Sequence, residues 1–386
     1  MVCDVLWGFK IYDCGSGSRG FKPHPPPQTK PFIISRPQPY VPCAGVNFIG
    51  RSYRLSILAI MKMLLILLLC ATVWAQSPLE FLNHGKPLLD AHNCYPYEGQ
   101  WADRIDRALQ AGFPVGIEQD LAWFVDAGGK GHLVVSHTSK TNGSEPALKD
   151  YFFERVRPVV ERALRENQRS TWPLIILHFD VKDNRPELHH AVWDLLGEYQ
   201  DWITTAAKTP DPAILASLDA KPLLVLTEDN DAQEQVFFKQ VPAGARLRLF
   251  GSAHTVKLPG STDRERAQAA ATLPPDALLV EKPSNYRRWW NNSWWEVEEG
   301  GQRQAGDWTA SDEQRLRALT DHAHRLGFWI RFYTLDGFSP EDNRGWDKGY
   351  NFGSREAARV RWKAALDAGV DLIATDQYED LAALIH

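Results

Sequence analysis

Cysteine is scarce where it would matter. The 386-residue chain has five, and Cys3, Cys14, Cys43 and Cys70 all precede residue 76, leaving only Cys94 beyond it. The later region therefore has no internal disulfide and no cysteine metal cluster, and it must rely on its core. Positive charge is also short. There are 43 Lys and Arg against 48 Asp and Glu, a net charge of -5. No basic stripe of the kind nucleic-acid binders carry is present, so no nucleic-acid partner is expected. No glycine-rich phosphate loop follows the first predicted strand, which argues against a nucleotide-binding open sheet.

What is there begins with a change of composition. Residues 20–43 are proline-rich and show neither helical nor strand periodicity. Then comes "MKMLLILLLCATVWAQS", which has the form of a secretory signal. Lys62 is its positive end, Leu64–Val73 its apolar stretch, and Val73-Trp74-Ala75 precedes the cut. We expect residues 1–60 to be a non-native or disordered extension, 61–75 a signal peptide and 76–386 the working domain. That domain is expected to be secreted or periplasmic. The alternative is a membrane anchor along Leu55–Ala75, which is long enough to span but is interrupted by Lys62.

From residue 87 onward, short apolar runs alternate with helical patterns. The predicted strands are 87–93, 114–120, 174–181, 223–228, 246–252, 277–282, 328–334 and 371–376. Gly112, Gly327 and Gly369 stand where helices are expected to end. The unit between the fifth and sixth strands is the poorest, with only "DRERAQAAA" to offer as a helix. Strands that are apolar on both faces and alternate with helices mean a parallel sheet with helices outside. Eight units in about 300 residues predict a single-domain α/β fold, a (β/α)8 TIM barrel. The stretch "SNYRRWWNNSWWEVEEGG" is expected to be a Trp-rich loop insertion after strand six. Its tryptophans either form an apolar lip against a lipid or membrane surface, with Arg287 or Arg288 on a phosphate, or bury themselves as a cap.

In a barrel the chemistry sits at the C-terminal strand ends. Predicted strand one ends in Asp90, His92 and Asn93, strand two in Glu118 and Asp120, and strand three in His178, Asp180 and Lys182. "GHLVVSHT" ends in His137. Glu118, Asp120 and Asp180 would converge near the mouth, where three carboxylates need a cation. All-oxygen ligands favour one divalent ion, Mg²⁺ or Ca²⁺. His92 and His137 would flank that cluster as the acid and base that phosphodiester cleavage requires. Lys182 and the ion would stabilise charge on the non-bridging oxygens. His178 is ambiguous. His189, His190, His322 and His324 read as surface or packing.

These residues resemble the PLC-like phosphodiesterase superfamily, which includes glycerophosphodiester phosphodiesterases, sphingomyelinase D-type enzymes and phosphatidylinositol-specific phospholipase C. The matching pieces, in order, are "AHN", "AGFPVGIEQDL", "VVSHT", "FDVK", "WIRFYTLDG" and "AGVDLIATDQYEDL", over residues 87–386. The resemblance implies a metal site on Glu118, Asp120 and Asp180 and a catalytic pair in His92 and His137. It puts Lys182, Asn93, Trp329 and Tyr333 on the substrate side. Two departures matter. Asn93-Cys94 stands where glycerophosphodiesterases carry Arg-Gly. Asp180-Val181-Lys182 stands where they carry Glu-x-Lys, closer to the sphingomyelinase D-type pattern.

The expected function is therefore an exported, metal-dependent phosphoric diester hydrolase. It would act on a glycerophosphodiester or (lyso)phospholipid-type substrate, with contact to a membrane surface through the Trp-rich stretch. The oligomeric state is left open. A catalytically silent ligand-binding protein on the same barrel is the alternative. A glycoside hydrolase fits less well, because three carboxylates with two histidines suit a metal better than the two-carboxylate arrangement does.

Overall fold

The structure is a computed structural model, and it describes residues 81, 86–97, 99–298, 306–338 and 351–386. Val73–His386 cluster as one compact unit, and the fold is that unit's. The expected N-terminal extension and signal peptide lie outside the described residues. Among the described residues, no helix is long and apolar enough to cross a membrane.

Eight parallel strands close into a barrel: β1 (Leu88–Ala91), β2 (Val115–Val125), β3 (Ile175–Val181), β4 (Leu223–Thr227), β5 (Phe250–Ser252), β6 (Arg287–Ser293), β7 (Trp329–Tyr333) and β8 (Leu372–Thr375). Closure is made by β1, which pairs with β8 on one side and β2 on the other. This is the (β/α)8 barrel that the alternation of runs predicts. Leu88, Val115, Ile175, Leu223 and Leu372 sit fully buried at the strand starts. Helices Glu154–Glu166, Pro186–Glu198, Ala310–Leu326 and Arg355–Ala368 cover the outside. The last two end on Gly327 and Gly369, both with positive φ (97° and 77°), a conformation only glycine takes without strain.

Strand six is misplaced by sequence reasoning. "ALLVEK" at 277–282 is not a strand. Ala277 and Leu278 finish a short helix, Pro275–Leu278, and Val280 is exposed. The real β6 is Arg287–Ser293, so the Trp-rich stretch is a barrel wall and not an inserted loop. Its polar and aromatic residues hide a strand because they satisfy groups inside the barrel instead of forming an apolar run. Trp289, Trp290 and Trp294 are buried, so these rings form no outward lip. Arg287 pairs with Asp229 (2.8 Å) and Glu234 (2.6 Å), and Arg288 donates to the Ala216 carbonyl at 2.9 Å. Neither is available to a phosphate as expected. The poor unit before β6 does hold a helix, Asp263–Thr272, started by a capping box of Thr262 and Glu265.

Two features of β2 position the site. At 11 residues it outruns the barrel. Its lower part pairs in parallel with β3, and beyond Leu121 it pairs antiparallel with Gly131–Val135. That hairpin returns His137 to the mouth. Lower down, Gly116 faces Asp90 of β1, and a Cβ there would overlap the Asp90 carboxylate. The glycine makes room for a charged group at the centre of the barrel.

Candidate active site at the barrel mouth

Inward-facing residues of neighbouring strands meet in layers because their registers match. The lowest polar layer is an ion pair. Arg331 of β7 donates its Nε to Asp90 Oδ2, while its Nη2 lies 3.2 Å from Glu118 Oε2 and its Nη1 lies 3.0 Å from Asn291 Oδ1. Arg331 and Asp90 are fully buried. Burial alone would lower the Arg331 pKa, but Asp90 and Glu118 hold it above the ordinary range.

Above it come the three predicted carboxylates. Glu118 is directly across from His178, and Asp120 across from Asp180, in the β2–β3 register. Glu118, Asp120 and Asp180 each offer an oxygen, and these oxygens lie within 4.8 Å of one another. One ion with bonds of about 2–2.6 Å can span that separation. A lysine already serves part of the cluster. Lys182 Nζ is 2.5 Å from Asp180 Oδ2 and 3.0 Å from Asp120 Oδ2. Asp120 Oδ1 is buried and has no hydrogen-bond partner among the described residues, which is what a ligand oxygen awaiting a cation looks like. The hard-oxygen donor set and this orphaned atom fit a divalent ion.

The charges respond to one another. Burial pushes the Glu118 carboxyl up, but His92, Arg331, His178 and Lys182 outweigh it and hold Glu118 well below the usual range. Asp180 goes the other way. Burial and then the Glu228 charge raise it well above the usual range, and Lys182 only partly opposes them. Asp336 is raised to about 7 by burial and by Asp376.

Both predicted histidines reach this cluster. His92 is buried, with Nδ1 at 2.8 Å from Asp376 Oδ1 and Nε2 at 3.6 Å from Glu118 Oε2. Burial would lower its pKa, but Glu118 and Asp376 raise it to about 9. His137 is half-exposed, with Nδ1 at 2.9 Å from Asp120 Oδ2. Tyr95 joins the two halves, donating to Asp120 Oδ2 at 2.8 Å. Asn93 takes a left-handed backbone (φ 49°), which aims its N–H at Glu118 Oε2, 3.2 Å away. Its amide lies 2.8 Å from His92 Nδ1. Tyr333 stacks on the His92 ring with centroids 6.2 Å apart.

Trp329 does not join them. It is buried lower in the barrel, against Phe81 at 6.0 Å, because it lies two residues before Arg331 on the inward face. Sequence reasoning passed over Arg331, Glu228, Asn291 and Tyr95 as site residues, and placed Asp90 and Asp376 at strand ends without giving them a role. A signal existed for Arg331: with period two, a residue between Trp329 and Tyr333 on the same face must point inward as well. Glu228 ends predicted strand four just as Asp180 ends strand three. Asn291 was hidden by the misplaced strand six.

Fold and site together define a (β/α)8 barrel with an acidic mouth flanked by two histidines. No family model matches the chain, and no curated protein matches it. Among solved structures it is similar to HPPK-DHPS of Plasmodium falciparum. A triple mutant with SDX-DHP shares 9% identity at TM-score 0.35, covering 78% of this chain and 46% of that one. The same mutant with pterin and p-hydrobenzoate gives 7% and 0.36, with the same coverages. An HPPK-DHPS in complex with substrates gives 9% and 0.35, covering 78% and 50%. This chain spans about half the length of those structures. Likeness at this level carries no chemistry across.

Proposed function

We propose that the protein is an exported, metal-dependent phosphoric diester hydrolase of the PLC-like type, acting on glycerophosphodiesters or (lyso)phospholipids. The observation that carries this reading is the meeting of Glu118, Asp120 and Asp180 within reach of one ion, beside two imidazoles each oriented by a carboxylate. Mg²⁺ or Ca²⁺, when bound, supplies Lewis-acid stabilisation of the non-bridging oxygens.

The chain's own groups do the rest. His137 commits Nδ1 to Asp120, leaving Nε2 to take the proton of an attacking hydroxyl. His92, its Nδ1 held by Asp376 at 2.8 Å, gives a proton to the leaving oxygen. Lys182 adds a fixed positive charge beside the phosphate. If the nucleophile is a hydroxyl of the substrate itself, its oxygen bonds to phosphorus as the ester bond to the leaving alcohol breaks. The products are then a cyclic phosphate and the free alcohol. Phosphorus NMR of a glycerophosphodiester and lysophospholipid panel tests this: a cyclic phosphate signal supports it, and solvent-oxygen incorporation with no cyclic species at any time overturns that step.

One observation favours a second reading, a ligand-binding protein without turnover. Lys182 already bridges two of the three carboxylates and offsets one of their charges without a metal. Absence of turnover on the whole panel with either ion present would select it.

A further inference from the structure

The two histidines of the mouth are tied to each other from behind. We propose that Tyr95 and Asn93 are positioning residues that join His92 and His137 through one hydrogen-bonded bridge. The bridge holds His137 with its proton on Nδ1 and fixes the partner of His92. This rests on the two-histidine reading above, and it takes the Asn93 side chain away from the substrate.

The turn after β1 brings the two side chains together. Asn93 sits at φ 49°, a left-handed backbone that asparagine tolerates better than most residues. The Tyr95 N–H closes back on the Asn93 carbonyl at 2.8 Å. Arg104 donates to that same carbonyl, and Gln119 donates to the carbonyl of Cys94 between them. Tyr95, Arg104 and Gln119 are all buried, so the turn is clamped from below by groups that water does not reach.

The Tyr95 hydroxyl is the centre of the bridge. It has one proton and three neighbours: Asn93 Oδ1 at 2.5 Å, Asp120 Oδ2 at 2.8 Å and His137 Nδ1 at 2.8 Å. His137 Nδ1 is itself 2.9 Å from Asp120 Oδ2. With Nδ1 protonated, the imidazole donates to Asp120, and the hydroxyl proton serves Asn93 and Asp120. With Nδ1 bare, that single proton would have three acceptors to satisfy. An acceptor left unmet here costs its desolvation, so the network selects the Nδ1–H form and leaves Nε2 as the base. The tyrosine matters because the His137 side chain is 40% exposed and has few other restraints. Its ring stacks on Tyr95 with centroids 6.2 Å apart.

Asn93 carries the bridge across. Its amide nitrogen is 3.1 Å from Asp376 Oδ1 and 3.5 Å from Oδ2, and a carboxylate only accepts. The amide oxygen therefore faces Tyr95, whose proton locks that orientation. Asp376 Oδ1 accepts from His92 Nδ1 at 2.8 Å as well. Losing the hydroxyl frees the amide to turn, and the restraint on Asp376 and His92 goes with it. The amide is thus committed at both ends to the scaffold.

Long-range nitrogen–proton NMR of the full chain, with labelled histidine and His137→Gln to mark the His137 signals, tests the bridge without any turnover. Wild type should show His137 protonated at Nδ1. Tyr95→Phe, which keeps the ring, should bring in the Nε2–H form. An Nε2–H wild type, or a His137 unchanged in Tyr95→Phe, overturns the proposal. Rates on bis-(p-nitrophenyl) phosphate with Mg²⁺ give a second readout. Tyr95→Phe and Asn93→Gly, which tolerates the left-handed backbone, should each lower kcat roughly 10–100-fold with KM nearly unchanged. The double variant should be little worse than either alone. A raised KM with unchanged kcat in Asn93→Gly would put its amide on the substrate, and losses that multiply in the double variant would mean no shared bridge; each overturns the proposal. A wild type that shows the expected tautomer shift but no turnover supports the bridge and removes the hydrolase reading.

Discussion

Asp120 and Asp180 face each other as paired residues on neighbouring parallel strands, and Lys182 bridges them, 3.0 Å from one and 2.5 Å from the other. A fixed ammonium there competes with any metal ion for the same oxygens. It also stands ready to hold a phosphate once an ion has taken over the carboxylates.

Lys182→Met separates these two roles. Removing the competing charge should tighten Mg²⁺ binding roughly tenfold, a change of about 1.4 kcal/mol. Turnover should fall roughly 10²–10³-fold, because a donor to the developing phosphate charge is lost. Calorimetric titration and steady-state rates read the two effects. Weaker ion binding in this variant would contradict the competition.

The Arg331–Asp90 pair should behave as a buried unit. Arg331→Met or Asp90→Asn alone leaves an uncompensated charge and should cost about 3–5 kcal/mol in urea unfolding. The double variant should recover much of that loss. Purely additive losses would contradict a direct pairing.

Gly116→Ala tests the space that this pair needs. The added methyl overlaps the Asp90 carboxylate. Overpacking of this kind should destabilise the barrel by about 1–3 kcal/mol. A neutral result would mean that Asp90 can move aside without cost.

His189 predicts a pH dependence away from the site. It is buried against Phe237, and burial, with His190 nearby, depresses its pKa to about 4, while Asp183 opposes weakly. The unfolded chain then takes up this proton more readily than the folded one. The histidine's contribution to stability is complete above about 6.5 and is lost as pH falls from there toward about 4. The loss should be on the order of 2 kcal/mol. His189→Gln should flatten the urea midpoint across that window, and an unchanged slope would contradict the assignment.

Much of the barrel was legible because seven strands are apolar runs bounded by turns. Strand six was not. "RRWWNNS" places Trp289 and Asn291 inward and packs Arg288 and Trp290 outward, so neither period nor composition marks it. The carboxylates and histidines of the mouth stood out in sequence as polar ends of apolar runs. Arg331 did not, because a charge in the middle of a strand is ordinarily outward-facing, and Asp90 stood out only as a strand-end acid with no partner. Only the three-dimensional pairing with each other and with Glu118 lets them stay inside.

The central claim is diester hydrolysis at an ion held by Glu118, Asp120 and Asp180, with His92 and His137 moving the protons. Its most direct test is the rate of bis-(p-nitrophenyl) phosphate hydrolysis by the full chain, measured with Mg²⁺ or Ca²⁺, after chelation, and in His92→Ala and His137→Ala. The account predicts turnover that chelation abolishes and added ion restores, with each histidine variant slowed roughly 10²–10⁴-fold while still binding the ion. Turnover that survives chelation, or that persists unchanged in His137→Ala, would contradict it.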